Sequence, residues 1–344
     1  MDAREAPASA KDWLPLLNRY RGANGARSVQ EIAVTIVPFV LLWIATWICL
    51  EVSVLLSLAI AVPAAGFLVR LFMIQHDCGH GALFARRSAN DWIGRSISVL
   101  TLTPYDAWRR SHSVHHATSG NLDQRGIGDI TTLTVSEYLA RPRLARLGYR
   151  LYRNPLVMFG LGPAYIFLLR NRVPMDGTML RWRSWLSPMT TNLSIALLAA
   201  GMIWLIGLKP FLLVHVPIVL IAASIGVWLF YVQHQFEDTS WAKADSWTVH
   251  GAALHGSSYF ELPPALDWLT ASIGVHHVHH MCSRIPFYRL PNVLRDHPEL
   301  KNVGRLSLLQ SLSCARLALW DETRRRLISF RQLADMRRAG ELPA

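Results

Sequence analysis

Four long apolar blocks dominate the pattern of the chain. Residues 31–50, EIAVTIVPFVLLWIATWICL, and 52–74, VSVLLSLAIAVPAAGFLVRLFMI, are separated only at Glu51. Residues 190–208, TTNLSIALLAAGMIWLIGL, and 210–232, PFLLVHVPIVLIAASIGVWLFYV, meet at Lys209 and Pro210. Each block is long enough to cross a hydrocarbon core of about 30 Å as a helix. The pattern therefore predicts two tight helical hairpins, with Pro63 tolerated inside a span because neighbouring helices re-satisfy the freed backbone group. A fifth stretch, 155–169 (PLVMFGLGPAYIFLL), is shorter and interrupted by Gly160, Gly162 and Pro163. It predicts an interfacial or re-entrant helix instead of a crossing.

Two hairpins place the N-terminus, residues 75–189 and everything after 233 on one side of a membrane. That side carries Arg86, Arg87, Arg109, Arg110, Arg141, Arg143, Arg146, Arg150 and the run Arg324, Arg325, Arg326. An excess of arginine beside the spans marks the cytoplasmic face. The expected fold class is all-α and integral to the membrane: about four transmembrane helices under a cytoplasmic helical cap. The expected segments are a cytoplasmic N-terminus (1–30), a membrane domain (31–300) and an amphipathic helical tail (301–344), the last from the recurrence of Leu306, Leu308, Leu309 and Leu312.

Composition sharpens this picture. The chain of 344 residues is 51% hydrophobic with a mean hydropathy of +0.23 and 13 Trp, high for a water-soluble protein. The net charge of +12 is also compatible with nucleic-acid binding, but the basic residues lie between apolar runs instead of on one compact domain, which argues against it. Cys49, Cys78, Cys282 and Cys314 are scattered, with no CxxC, and read as ordinary thiols. The N-terminus has no basic segment followed by an apolar core, so no cleavable signal peptide is expected and the first span directs insertion.

The candidate chemistry is histidine. VHHVHHM (275–281) holds His276, His277, His279 and His280; HDCGH holds His76 and His80; HSVHH holds His112, His115 and His116. An i, i+4 or i, i+3, i+4 spacing lines one face of a helix, and this leaves His277 out of phase. All three clusters fall on the side of the membrane that carries the arginines. Eight imidazoles exceed the needs of one metal ion and suit two, at roughly four to five ligands each, with nitrogen donors favouring Fe over Ca or Mg. Zinc is chemically possible, although neither HExxH nor paired thiolates occur.

In order and in placement, HDCGH, HSVHH and HHVHH resemble the histidine boxes of the integral-membrane fatty acid desaturase family. The flanks VQHQFEDTSW, HGSSYF and IGVHHVHHMCSRIPFYRL are similar to the bacterial acyl-lipid desaturases of the omega-6 (Δ12) type. The resemblance covers about residues 30–300. It implies a di-iron site, O2 as co-substrate, two electrons from an external donor, and removal of two hydrogens from a fatty acyl lipid. It further implies one metal ligand outside the boxes, assigned to His234 at the exit of the fourth span, with His250 and His255 as rivals. His215 and His297 are expected to be structural.

Ligating imidazoles normally pass their second N–H to a carboxylate or carbonyl. Asp77, Glu237 and Asp238 lead among the carboxylates by position; Asp123, Asp129 and Asp267 follow, with capping as the other reading of Asp129 and Asp238. Trp108, Arg109 and Arg110 are placed to meet a lipid or carrier headgroup, or simply form a basic belt. No haem-binding HPGG-like module or cluster-type cysteine spacing is visible, so the expected donor is a separate ferredoxin or cytochrome-type protein steered by the basic face. Two other readings stand beside this one. A membrane hydroxylase or ketolase uses the same irons, and a metal transporter places its ligands within the spans, where only His215 lies.

Overall fold

The computed structural model describes residues 9–174 and 181–341; residues 1–8 of the N-terminal segment, 175–180 and 342–344 lie outside the described residues. Among the described residues, four helices are long and apolar enough to cross a membrane: Gly25–Cys49, Val54–His80, Trp182–Ile206 and Leu208–His234. Each hairpin turns tightly. In the first, Ser53 caps the second helix by accepting from Leu55 N, and the Ser57 hydroxyl donates to Thr46 O across the turn. In the second, Gly207 alone separates the helices. Helices of 27 residues are about 40 Å long at 1.5 Å per residue, so the second and fourth outrun a core of about 30 Å. The excess is about two turns, and the last two turns of these helices carry His76, His80 and His234.

The second span is the centre of the bundle, packed on the first, on the fourth and on the helix Arg87–Leu100. One charge pair is buried among these helices. Arg70, 1% exposed, pairs with Glu31 at 2.6 Å and stacks 4.0 Å from the ring of Trp268. Its guanidinium also donates to Trp268 O and Thr35 Oγ1. An ion at this depth survives only when so paired. Through Trp268, Arg70 fastens the segment before the third histidine cluster to the first hairpin.

Residues 155–169 form no span. They are helical with two wide π-turns, Val157–Leu161 and Tyr165–Leu169, and lie beside the fourth span, where Phe159 meets Trp228 and Tyr231 edge-on.

The tail corrects the helical expectation for 301–344. Leu317–Asp321 (LALWD) is a fully buried strand, flanked by Leu133–Thr134 in parallel and Arg326–Ser329 in antiparallel pairing. A short continuous apolar run reads as a buried strand as readily as a helix, and here the partner strands decide. Helices Leu308–Cys314 and Phe330–Arg338 flank the strands, each begun by a serine capping box. Leu309 and Leu312 are exposed. The buried Arg153 joins this unit to the membrane bundle, donating to Thr131 O, Leu317 O, Gln235 Oε1 and Tyr231 Oη. The molecule remains mostly helical, with little strand.

Candidate metal centre

Four elements deliver the histidines. The second span ends at His80 because Gly81 follows with φ +67°, a left-handed cap that a side chain would strain. The helix Tyr105–Thr118 is fixed at its first residue, where Tyr105 Oη donates within hydrogen-bond range of Cys78 O and Asp91 Oδ1, each at 2.9 Å. The fourth span ends at His234, and the short helix His276–Met281 supplies the remainder.

Nine imidazoles converge in two groups. His76, His80, His112, His116 and His279 form one, and His115, His234, His276 and His280 the other; within each group the donor atoms lie within 4.8 Å of one another. Every residue expected as a ligand is in one group or the other. The division follows from helix geometry: the i, i+4 pair His112 and His116 serves the first group and His115 the second, whereas the pair His276 and His280 serves the second and His279 the first. Neighbouring histidines diverge by about 100° around a helix, so each HxxHH motif feeds both groups. The two groups touch where the His116 and His280 rings stack at 4.0 Å.

The contacts inside the groups are nitrogen to nitrogen. His80 and His112 approach at 3.0 Å between Nε2 atoms, His112 and His116 at 3.2 Å, His116 and His279 at 3.1 Å. In the second group His234 Nε2 faces His115 Nε2 at 3.1 Å and His276 Nε2 at 3.0 Å. The Nδ1–H of His234 donates to Gly256 O at 3.2 Å, which leaves its Nε2 as a bare lone pair. Asp129 Oδ1 accepts from His115 Nδ1 at 2.5 Å, so a neutral His115 also turns a lone pair inward. The buried Nε2 of His280 has no hydrogen-bond partner among the described residues. Lone pairs so opposed repel unless a cation lies between them.

This donor set fits metal. Imidazole–metal bonds of about 2.0–2.1 Å at right angles put adjacent donor atoms about 3 Å apart. Burial, and next the neighbouring imidazoles, hold His112, His116, His276, His279 and His280 well below the ordinary histidine range, so they are neutral donors. Around them, Trp108 stacks on His112 at 4.6 Å. Asp77 is buried beside His76, 3.4 Å from its Nδ1, and accepts from Phe287 N at 2.7 Å, which ties the first cluster to the loop after the third.

Two carboxylate candidates do not reach the site. Glu237 is half exposed and pairs with Arg326 at 3.0 Å, and Asp238 is exposed. Helical continuation past His234 would have brought them one turn beyond it, but Gln235 leaves helical geometry (φ −117°, ψ 63°) and the chain turns outward. Asp129 takes the role instead. The signal was GIGD: Gly128, at φ +72°, lies against Ser111 O and His115 Cβ where a side chain would clash, and so lets Asp129 reach His115. Asp123 accepts from Ala244 N and Asp267 from the Ser272 hydroxyl. The carbonyl of Gly256 has no side-chain signature at all.

His250 and His255 belong to the helix Val249–His255 and join neither group. His277 is buried on the other side of its helix, near Tyr259, and burial pushes it down to about 4. His215 stacks on Phe211 within the fourth span, and His297 packs edge-on to Trp13. Arg109 pairs with Asp91 at 2.9 Å and Arg110 is exposed.

The family model described as Fatty acid desaturase matches residues 51–304. A fatty acid desaturase of Bacillus subtilis (strain 168) is 48% identical over 306 residues, covering 89% of this chain and 86% of that protein. Two proteins of Synechocystis are more distant: an sn-1 acyl-lipid omega-3 desaturase (ferredoxin), 29% identical over 64% of this chain and 61% of its own length, and an sn-1 oleoyl-lipid 12-desaturase, 26% identical over 64% and 62%. With the family match spanning most of the chain and a relative this similar across nearly all of it, the chain belongs to the fatty acid desaturase family of membrane oxidoreductases.

Proposed function

We propose that the protein is an O2-dependent di-iron desaturase that introduces a double bond into a lipid-linked fatty acyl chain, of the Δ12 or omega-6 type. The observation that carries this reading is the opposed set of Nε2 lone pairs around His234, a place for a cation and for little else. His76, His80, His112, His116 and His279 would hold one iron and His115, His234, His276 and His280 the other. Bound there, iron supplies the O2-reducing and C–H-oxidising power that no side chain has. The reaction balances as one CH2–CH2 pair, O2, two electrons and two protons giving one CH=CH and two waters.

The chain's own part is to prepare this site. Asp129 and Gly256 O fix the protons of His115 and His234 on Nδ1, so both rings are oriented before metal arrives. Burial keeps the remaining donors neutral and excludes bulk water. The projecting ends of the second and fourth spans set the groups just outside the hydrocarbon core, within reach of an acyl chain entering from the bilayer. The desaturase names of the cyanobacterial relatives support the lipid-linked substrate, and the word ferredoxin in one of them supports a ferredoxin donor over a cytochrome-type one. The arginine asymmetry supports a cytoplasmic site in a bacterial inner membrane.

The test is gas chromatography–mass spectrometry of fatty acids from cells expressing the protein or its His279→Ala variant. Unsaturated chains made only by the intact protein are expected, with fragmentation locating the bond. Oxygenated chains instead would assign hydroxylation, and turnover retained by the variant would defeat the site.

A further inference from the structure

The tail and the helix Arg143–Tyr152 enclose a groove that the metal site does not use. Its volume is about 270 Å³, and its walls include Arg143, Arg146, Leu147 and Arg150 from that helix and Leu333 and Arg337 from the helix Phe330–Arg338. The two helices are brought together by a small core of their own, in which Tyr138, Tyr149, Leu319, Ile328 and Leu333 are buried. No acidic side chain lines the groove among the described residues. Arg150 is held in place by the Tyr138 hydroxyl at 2.7 Å and by the Phe330 ring, 4.7 Å away.

The rim of this groove is apolar on one side. Leu144, Leu147 and Leu151, at i, i+3 and i+7 of one helix, are 80%, 52% and 56% exposed. Three exposed leucines on one stripe are unfavourable in water and suited to the acyl boundary of a bilayer. Beyond the helix, exposed leucines recur at Leu156 and Leu161, beside Phe159, which packs on Trp228 and Tyr231 near the end of the fourth span. The helix is thus joined, through the segment that holds Phe159, to the histidine-bearing end of the fourth span. Arginines there stretch apolar stems along the boundary and present guanidinium groups at headgroup level.

We propose that the groove between Arg143–Tyr152 and the tail helix is a binding site for an anionic phospholipid, its phosphate held by Arg143, Arg146 and Arg150 and its acyl chains lying over Leu144, Leu147 and Leu151. Guanidinium groups match phosphate oxygens in geometry and charge. The site is separate from the catalytic reading and does not depend on it.

The experiment equilibrates the purified full-length protein in detergent with equal amounts of phosphatidylglycerol and phosphatidylcholine and counts retained lipids by native mass spectrometry. The intact chain is expected to prefer phosphatidylglycerol. In Arg143→Gln/Arg146→Gln the preference falls by about 30-fold, on a factor of about 5 per arginine near the surface. Arg143→Lys/Arg146→Lys, with the charge retained, keeps most of it, and Arg86→Gln, an exposed arginine elsewhere, leaves it unchanged. Equal retention of the two lipids, or a preference that survives in the double Gln variant with its thermal stability intact, overturns the proposal. Displacement of the lipid by millimolar inorganic phosphate alone would reassign the groove to a free anion, and displacement by an acidic donor protein would reassign it to a docking surface; either result also overturns it.

Discussion

Asp129 Oδ1 lies 2.5 Å from His115 Nδ1, and it is the contact that decides which nitrogen of His115 faces His234. The carboxylate touches no other histidine among the described contacts, so its effect on metal runs through that single ring. Asp129→Asn keeps the shape and removes the charge. It is expected to weaken metal retention by about 10–100-fold, read as iron per chain after purification in a weak chelator, with membrane insertion unchanged. Undiminished iron in this variant would show that His115 needs no such partner.

Gly128 tests the same contact from the backbone. At its φ of +72° a side chain is strained, and a methyl group would press on Ser111 O and His115 Cβ at 3.0 and 3.1 Å. Gly128→Ala should cost about 1 kcal/mol or more and lower iron retention in the same direction as Asp129→Asn. Gly126, equally left-handed at φ +108° but open to space, is the control: Gly126→Ala should lose stability without losing metal.

His234 and His255 separate the candidates for the ligand outside the boxes. His234→Ala removes one of the four donors of the second group and should empty that group while the first retains its ion, halving the metal content. His255→Ala, at the exposed end of its helix, should change nothing. The opposite outcome would move the ligand to a residue that the geometry leaves out.

Much of this site was legible in sequence because helical spacing is local. His76 with His80, His112 with His116, and His276 with His280 each recur at i, i+4, and a span boundary sets where His234 emerges. What was not legible depended on where the chain stops being helical or where a distant strand pairs. Glu237 and Asp238 were misplaced because Gln235 ends the helix one residue after His234. Asp129 was under-weighted because its reach depends on a left-handed glycine. The tail was read as helix because Leu317–Trp320 reveals its strand only when Leu133 and Ile328 lie beside it.

Acidification should release the metal. The folded-state values of His112, His116 and His279 are depressed from an ordinary 6.5. Groups of this sign favour folding while neutral, so their contribution is full above about pH 6.5 and is lost as pH falls below it, where the unfolded chain binds protons that the folded site refuses. Metal bound to the same lone pairs carries the same sign. Thermal stability of the metal-free protein and metal retention of the loaded one should therefore both fall between pH 7 and pH 5. A profile flat across that range would contradict neutral imidazole donors.

Arg153 carries a prediction about architecture alone. Fully buried and bound to Thr131, Leu317, Gln235 and Tyr231, it is expected to cost about 1–3 kcal/mol or more when replaced by Met, because the carbonyls and hydroxyls it satisfies stay buried. Glu237→Gln, at an exposed pair with Arg326, should cost less than about 1 kcal/mol. Thermal unfolding in detergent distinguishes the two.

The most direct test of the central claim is the metal content and Mössbauer spectrum of the purified full-length protein grown on enriched iron. Two histidine groups, of five and four donors, predict two irons per chain in nitrogen-rich sites, with the His116→Ala variant reduced. One iron per chain, or zinc in its place, would contradict the account.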